Sequence, residues 1–272
     1  MDLPDPKAPA WQDVDDPGRA RRGPLRSRVE FHWTWFATVT LLAAALGTRR
    51  LPMARPDWDI PTTWLTAIVT ALLVGGSLVA HEAGHALAAR AFGARTIILR
   101  FALAGGAVTT DARQLGARGV AVTALAGPFA NLVATVLAAS LAYLLDPAAP
   151  IGGLLWGTPV VHAGASAGTG AGGRAQSLAF ALADAATLNA LAGAINLLPI
   201  PPFDGGIVVD ATVWRYTGRF GAARAISRVV AALLIATGLW LLVAGDVVQG
   251  ALSATLALLV DRLASSPGRR RR

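Results

Sequence analysis

The stretch that decides how this chain is read is Leu78-Val79-Ala80-His81-Glu82-Ala83-Gly84-His85-Ala86-Leu87-Ala88-Ala89-Arg90. It closes an apolar run that begins at Ile60 and carries no charged residue up to Ala80. About 20 apolar residues span a bilayer core, so the run predicts a membrane helix from Ile60 through His81 to about Ala89. Three of the last residues of that helix are ionisable. Ionisable groups within a span are costly and usually functional. On a helix, residues i and i+4 share a face, so His81 and His85 are placed to bind one metal ion, typically zinc. Glu82, between them, is placed as a general base on water.

Working outward, the rest of the chain supports a membrane setting. Of 272 residues, 54% are hydrophobic and only 15% are charged, against about 25% charged in an ordinary soluble domain. There is no cysteine, which excludes a disulfide framework, thiolate metal sites and a cysteine nucleophile. Metal ligands must come from His, Asp or Glu. The formal charge of +8 does not point to nucleic acid, because the arginines sit in short segments between apolar runs. There they would set membrane orientation.

Six spans are expected. They are roughly Phe31–Thr48, the Ile60 run, Gly119–Leu145, Ala175–Phe203 (broken only by Asp184), and two within Val229–Val260, separated at Gly245-Asp246. Of the 24 Lys and Arg residues, 20 fall in segments on one side of such a layout. That predicts a multi-pass cell-membrane protein with both termini in the cytoplasm. Arg49 and Arg50 run against the rule. Residues 1–30 are rich in Pro, Asp and Arg and are expected to form a disordered cytoplasmic tail. The basic region before the first span is long for a signal peptide, so a retained anchor is favoured. A membrane domain then covers 31–264, with a Gly/Ala/Ser-rich outer loop at about 147–175, and 265–272 form a basic cytoplasmic tail. Two β-rich runs around Gly105-Gly106, within Thr96–Thr110, predict a small hairpin beside the HEAGH helix. The fold class is therefore all-α and polytopic, with about six transmembrane helices and a small β-hairpin near the active site.

A third metal ligand is needed. The candidates are Asp204, Asp184, His32 and His162. Asp204 follows Asn196-Leu197-Leu198-Pro199-Ile200-Pro201-Pro202-Phe203 and precedes Gly205-Gly206. The prolines break the fourth span, and the glycines are expected to allow a tight turn beside the carboxylate. The second and fourth spans run in the same direction across the membrane, which favours Asp204. Gly75, Gly76, Gly84 and Gly193 leave space between helices, for water or for close packing.

HEAGH in one span followed by N-x-x-P-x-P-x-x-D-G resembles the site-2 protease family of intramembrane zinc metalloproteases. Ala126-Gly127-Pro128-Phe129-Ala130-Asn131 resembles that family's G-P-x-x-N element. The resemblance covers roughly 31–262. It implies one zinc ion per chain, held by His81, His85 and Asp204, with Glu82 as the catalytic carboxylate. It also implies that Asn196 holds the substrate or the developing oxyanion. Asn131 is expected to be a structural or substrate-side group, more readily an interhelical tie. Asp184 matches no family element. The hairpin would offer an edge to an extended substrate. The implied form is short, without the PDZ or CBS domains of many relatives. The implied activity is hydrolysis of a peptide bond within or next to a transmembrane segment of a membrane-protein substrate. The alternative is a non-proteolytic membrane scaffold or inactive homologue. A metal transporter ranks below both, since no internal repeat is visible.

Overall fold

In the computed structural model the described residues are 26–102, 105–110, 115–153, 171–219, 221–244 and 247–265. The chain divides into two compact units. Among the described residues, the first takes in those of 26–110 and 126–194, and the second those of 115–125 and 195–265.

The first unit opens with strand β1 (Arg26–Phe31). A continuous helical run follows: α1 (Trp33–Ala45), a π-helical segment (Leu46–Arg50) and α2 (Leu51–Ala54). Helix α3 (Ile60–Ala91) has 32 residues, about 48 Å at 1.5 Å per residue, longer than the ~30 Å hydrocarbon core. Its start is fixed by Asp59, whose carboxylate accepts from the Thr62 amide at 2.9 Å, and by Pro61 in the first turn. Its end is fixed by Gly93. That residue takes φ +96°, a left-handed conformation open to glycine, and turns the chain into strand β2 (Thr96–Ala102). Strand β3 (Gly105–Thr110) returns antiparallel to β2.

The expected hairpin is thus present, but within a three-stranded sheet ordered β1-β2-β3, with β1 parallel to β2. Phe31 pairs with Phe101, and their rings stack with centroids 4.7 Å apart. Beside them Glu30 accepts from Arg100 at 2.6 Å. Residues 26–30, expected in the tail, therefore belong to the sheet, because they pair along β2. Gly105 and Gly106, expected as the turn, instead open β3 opposite Ala102 and Phe101. The unit is completed by most of α4 (Gly116–Leu145) and of α5 (Ala171–Asn196).

In the second unit α6 (Asp204–Thr217) ends at Gly218, in the left-handed region. Helix α7 (Ala222–Val243) follows. The Asp210 carboxylate accepts from the Ala223 amide at 2.9 Å, tying the start of α7 to α6. Helix α8 (Val247–Ser265) packs on α7, and Ser253 donates to the Leu234 carbonyl at 2.8 Å. Ile200, Ala231 and Val260 form the buried core there.

Four described helices are long and apolar enough to cross a membrane: Ile60–Ala91, Gly116–Leu145, Gly173–Asn196 and Ala222–Val243. The expected six are not all of this kind. The first is cut into α, π and short α pieces and carries Arg49 and Arg50. The last carries Asp261 and Arg262 near its end. The fourth stops at Asn196 and the fifth starts at Ala222, taking in Arg224 and Arg228. Tail residues 1–25 and 266–272, the loop segment 154–170 and His162 lie outside the described residues.

Candidate metal centre

Helix α3 has its polarity turned inward. Thr63, Thr66, Thr70, Ser77, His81, Glu82 and His85 are buried, whereas Leu65 and Leu72 are exposed. A soluble protein's helix shows the reverse. Oxygen atoms already on the helix satisfy the buried hydroxyls. Thr66 donates to the Thr62 carbonyl at 2.8 Å, Thr70 to Thr66 at 2.9 Å and Ser77 to Val74 at 2.7 Å. An apolar outside with a satisfied polar inside is what a bilayer demands.

His81 and His85 project from consecutive turns of this stripe. Their Nε2 atoms lie 3.1 Å apart, with the rings 4.7 Å apart and nearly perpendicular at 87°. A tetrahedral zinc with Zn–N bonds of about 2.0–2.1 Å separates two ligand nitrogens by roughly 3.3 Å. The pair fits such an ion with almost no movement. Glu82 is buried beside them.

Two glycines from other elements close over this cluster. A Cβ at Gly127 of α4 would collide with His85 Nε2, and would lie 2.5 Å from His85 Cε1 and 2.7 Å from His81 Nε2. A Cβ at Gly106 of β3 would collide with Glu82 Cγ and Cδ and lie 2.5 Å from Oε1. Main chain therefore reaches both the histidine nitrogens and the Glu82 carboxylate. A third glycine, Gly84, lets α3 approach α4: its Cβ would lie 2.6 Å from the Ala126 carbonyl oxygen. Of the four glycines read as interhelical space, Gly75 faces Val39 and Trp35, Gly84 faces α4 and Gly193 faces Asn131, so these three serve packing. Gly76 has nothing within 4 Å.

Of the remaining site residues, Asn196 is the last residue of α5 and Asp204 the first of α6. Both belong to the second unit. Gly205 and Gly206 do not form the expected turn. They are buried in the first turn of α6, because a side chain there would strike the Leu197-Leu198 and Ile200-Pro201 backbone. His32 caps α1, accepting from the Thr34 amide at 3.4 Å, and is exposed. Asp184 is fully buried and paired with Arg50 at 3.3 Å. Arg50, which runs against the charge rule, thus points into the protein. Asn131 is buried on α4, and neither its Oδ1 nor its Nδ2 has a partner. The expected interhelical tie is not made. The sequence reading did not foresee the roles of Gly106 and Gly127. Gly127 stood in the G-P-x-x-N element, and Gly106 in a Gly-Gly pair that also fits a turn.

The family model "Peptidase family M50" matches residues 69–239, and the chain belongs to that family. It is 34% identical over 228 residues to "Putative zinc metalloprotease Rip3" of Mycobacterium tuberculosis, covering 82% of this chain and 51% of that one. It is 28% identical over 190 residues to "Putative zinc metalloprotease sll0528" of Synechocystis, covering 68% and 41%. The chain thus spans about half the length, or less, of the curated relatives it matches. Among solved structures, it is similar to the site-2 protease from Methanocaldococcus jannaschii, with TM-score 0.49 and 19% identity, covering 90% of this chain and 92% of that one.

Proposed function

We propose that this chain is an intramembrane zinc metalloendopeptidase that hydrolyses a peptide bond within or next to a transmembrane segment of a membrane-protein substrate. The observation that carries this reading is the buried His81–Glu82–His85 cluster on a membrane-length helix whose apolar side faces outward. One zinc per chain is supported by the 3.1 Å approach of the two Nε2 atoms and by family membership. His81 and His85 would hold it. Asp204 as third ligand and Asn196 as substrate or oxyanion contact are supported by the N-x-x-P-x-P-x-x-D-G motif.

Zinc, when bound, brings water to a pKa near 7 and polarises a carbonyl. The chain's own groups do the rest. Glu82 takes a proton from the attacking water and delivers it to the leaving amine. Burial keeps bulk solvent from competing for that carboxylate. Among the described residues β3 forms one edge of the sheet, since β2 is covered by β1 on its far side. An extended substrate paired along β3 would pass Gly106, and so Glu82. That pairing offsets the cost of unwinding a substrate helix. Multi-pass residence in the cell membrane with both termini cytoplasmic remains the orientation favoured by the arginine distribution.

The test is zinc per chain in detergent-purified wild type, Glu82→Gln and Asp204→Ala, with cleavage of co-reconstituted membrane proteins read alongside. About one zinc in the first two, less in the third, and cleavage only in the wild type is the expected result. A wild type that holds no zinc after reconstitution sinks the reading and favours a scaffold.

A further inference from the structure

Asn131 is the one amide on α4 whose burial nothing in this state explains. The residue is 1% exposed, and both side-chain atoms are buried with no hydrogen-bond partner. Buried amides in native proteins are nearly always paired, and a leucine would fill the same volume without that penalty. Gly193 of α5 closes on it, with the position of a Cβ only 3.3 Å from Asn131 Cβ and 3.9 Å from Nδ2. A chain that reaches this amide has to enter between α4 and α5.

Its place on α4 says what that partner is. Gly127, which abuts both histidine nitrogens, lies four residues earlier on the same face. Four helical residues rise about 6 Å. An extended chain advances about 3.3 Å per residue, so two residues of an unwound segment cover the same distance. A carboxamide offers a donor and an acceptor side by side, and a peptide group requires both. We infer that Asn131 is a substrate-binding residue that hydrogen-bonds the substrate's main chain two residues from the scissile bond. It holds the unwound segment in place. This rests on the peptidase reading above, and assigns Asn131 to substrate rather than to helix packing.

The test uses full-length Glu82→Gln protein in detergent micelles, so that binding is read without cleavage. The probes are two fluorescein-labelled single-span leucine peptides, one with a central Gly-Pro break and one unbroken. Adding Asn131→Leu is expected to weaken binding of the broken peptide about tenfold, the value of two modest hydrogen bonds. The unbroken peptide should bind unchanged. Asn131→Ser, which keeps a donor and an acceptor, should retain most of the affinity and serves as the second variant if leucine does not fold. Zinc content should be unaffected, and the thermal midpoint of Asn131→Leu equal to or above that of the parent. A midpoint lowered in both Asn131→Leu and Asn131→Ser makes Asn131 a helix tie and overturns the proposal. So does equal binding of the broken peptide by Asn131→Leu when zinc is held and the parent prefers that peptide. If the parent neither holds zinc nor prefers either peptide, the peptidase reading itself fails, and this inference falls with it.

Discussion

Gly127→Ala is the smallest change that tests the metal centre. The added methyl carbon would lie 2.7 Å from His81 Nε2 and 2.5 Å from His85 Cε1. Ordinary contact begins near 3.4 Å, so the His81 ring must retreat by about 0.7 Å and the His85 ring, whose Nε2 is nearer still, by about 1 Å, or α4 must move as a body. Metal sites tolerate ligand errors of about 0.2 Å. Retreat in opposite directions also widens a nitrogen pair that now sits close to the spacing of a tetrahedral ion. We expect zinc affinity to fall at least 100-fold, as measured by competition against a graded series of chelators on purified protein. The matched control is Gly76→Ala in α3, where an added Cβ meets nothing within 4 Å. That variant should hold zinc like wild type and gain about 0.5–1 kcal/mol from better helix propensity. Wild-type zinc affinity in Gly127→Ala would refute the idea that α4 main chain sets the histidine geometry.

Three further outcomes follow from particular contacts. Gly106→Ala drives a methyl into the Glu82 side chain, so cleavage should fall at least tenfold while zinc per chain stays near wild type. Loss of zinc in that variant would mean that β3 supports the ligands rather than the base. Arg50→Met leaves Asp184 buried without its 3.3 Å partner and should cost about 3–5 kcal/mol in detergent unfolding, most of it regained in Arg50→Met/Asp184→Leu. An unperturbed single variant would show that the pair contributes nothing. In the loop before α3, the hydrogen bonds from Arg55 hold the Asp57 carboxyl below its usual pKa. A depressed carboxylate stabilises the fold above its unfolded pKa and loses that contribution as pH falls through the folded one. Wild type should therefore lose more thermal stability than Asp57→Asn on acidification below about pH 4; parallel curves would remove the pair from the account.

Much of this was legible in the sequence, for identifiable reasons. The HEAGH helix declared itself because three ionisable groups sat at i, i+1 and i+4 of an apolar run. The hairpin was visible through its β-rich residues. Two things were not legible. The strand Arg26–Phe31 lies in a charged, proline-rich tail, and its pairing with β2 is set by a partner about 70 residues away. The end of the first span also escaped, because hydropathy does not register that Arg50 is paired with Asp184 across 134 residues. Asp184 itself read as a break in a span and a candidate metal ligand, not as the partner of Arg50.

The glycines explain how a membrane helix can carry such chemistry. Helix α3 must be apolar where it meets lipid and polar where it works, and it meets both demands with one inward stripe. That leaves the stripe to be held in place by neighbours that add no competing polar groups and no mobile side chains. Gly127 and Gly106 do this by bringing backbone against the histidines and Glu82. Backbone has no rotamers to average over, so the packing of α3 on α4 and β3 limits where the rings and the carboxylate can sit. The arrangement makes the centre intolerant of a single methyl group at those two positions. It also ties the histidine geometry to helix separation: any parting of α3 from α4 beside Gly127 loosens the contact against the two rings. On the proposed peptidase reading, a substrate paired with β3 and with Asn131 would supply the order that the departing glycine contacts had provided.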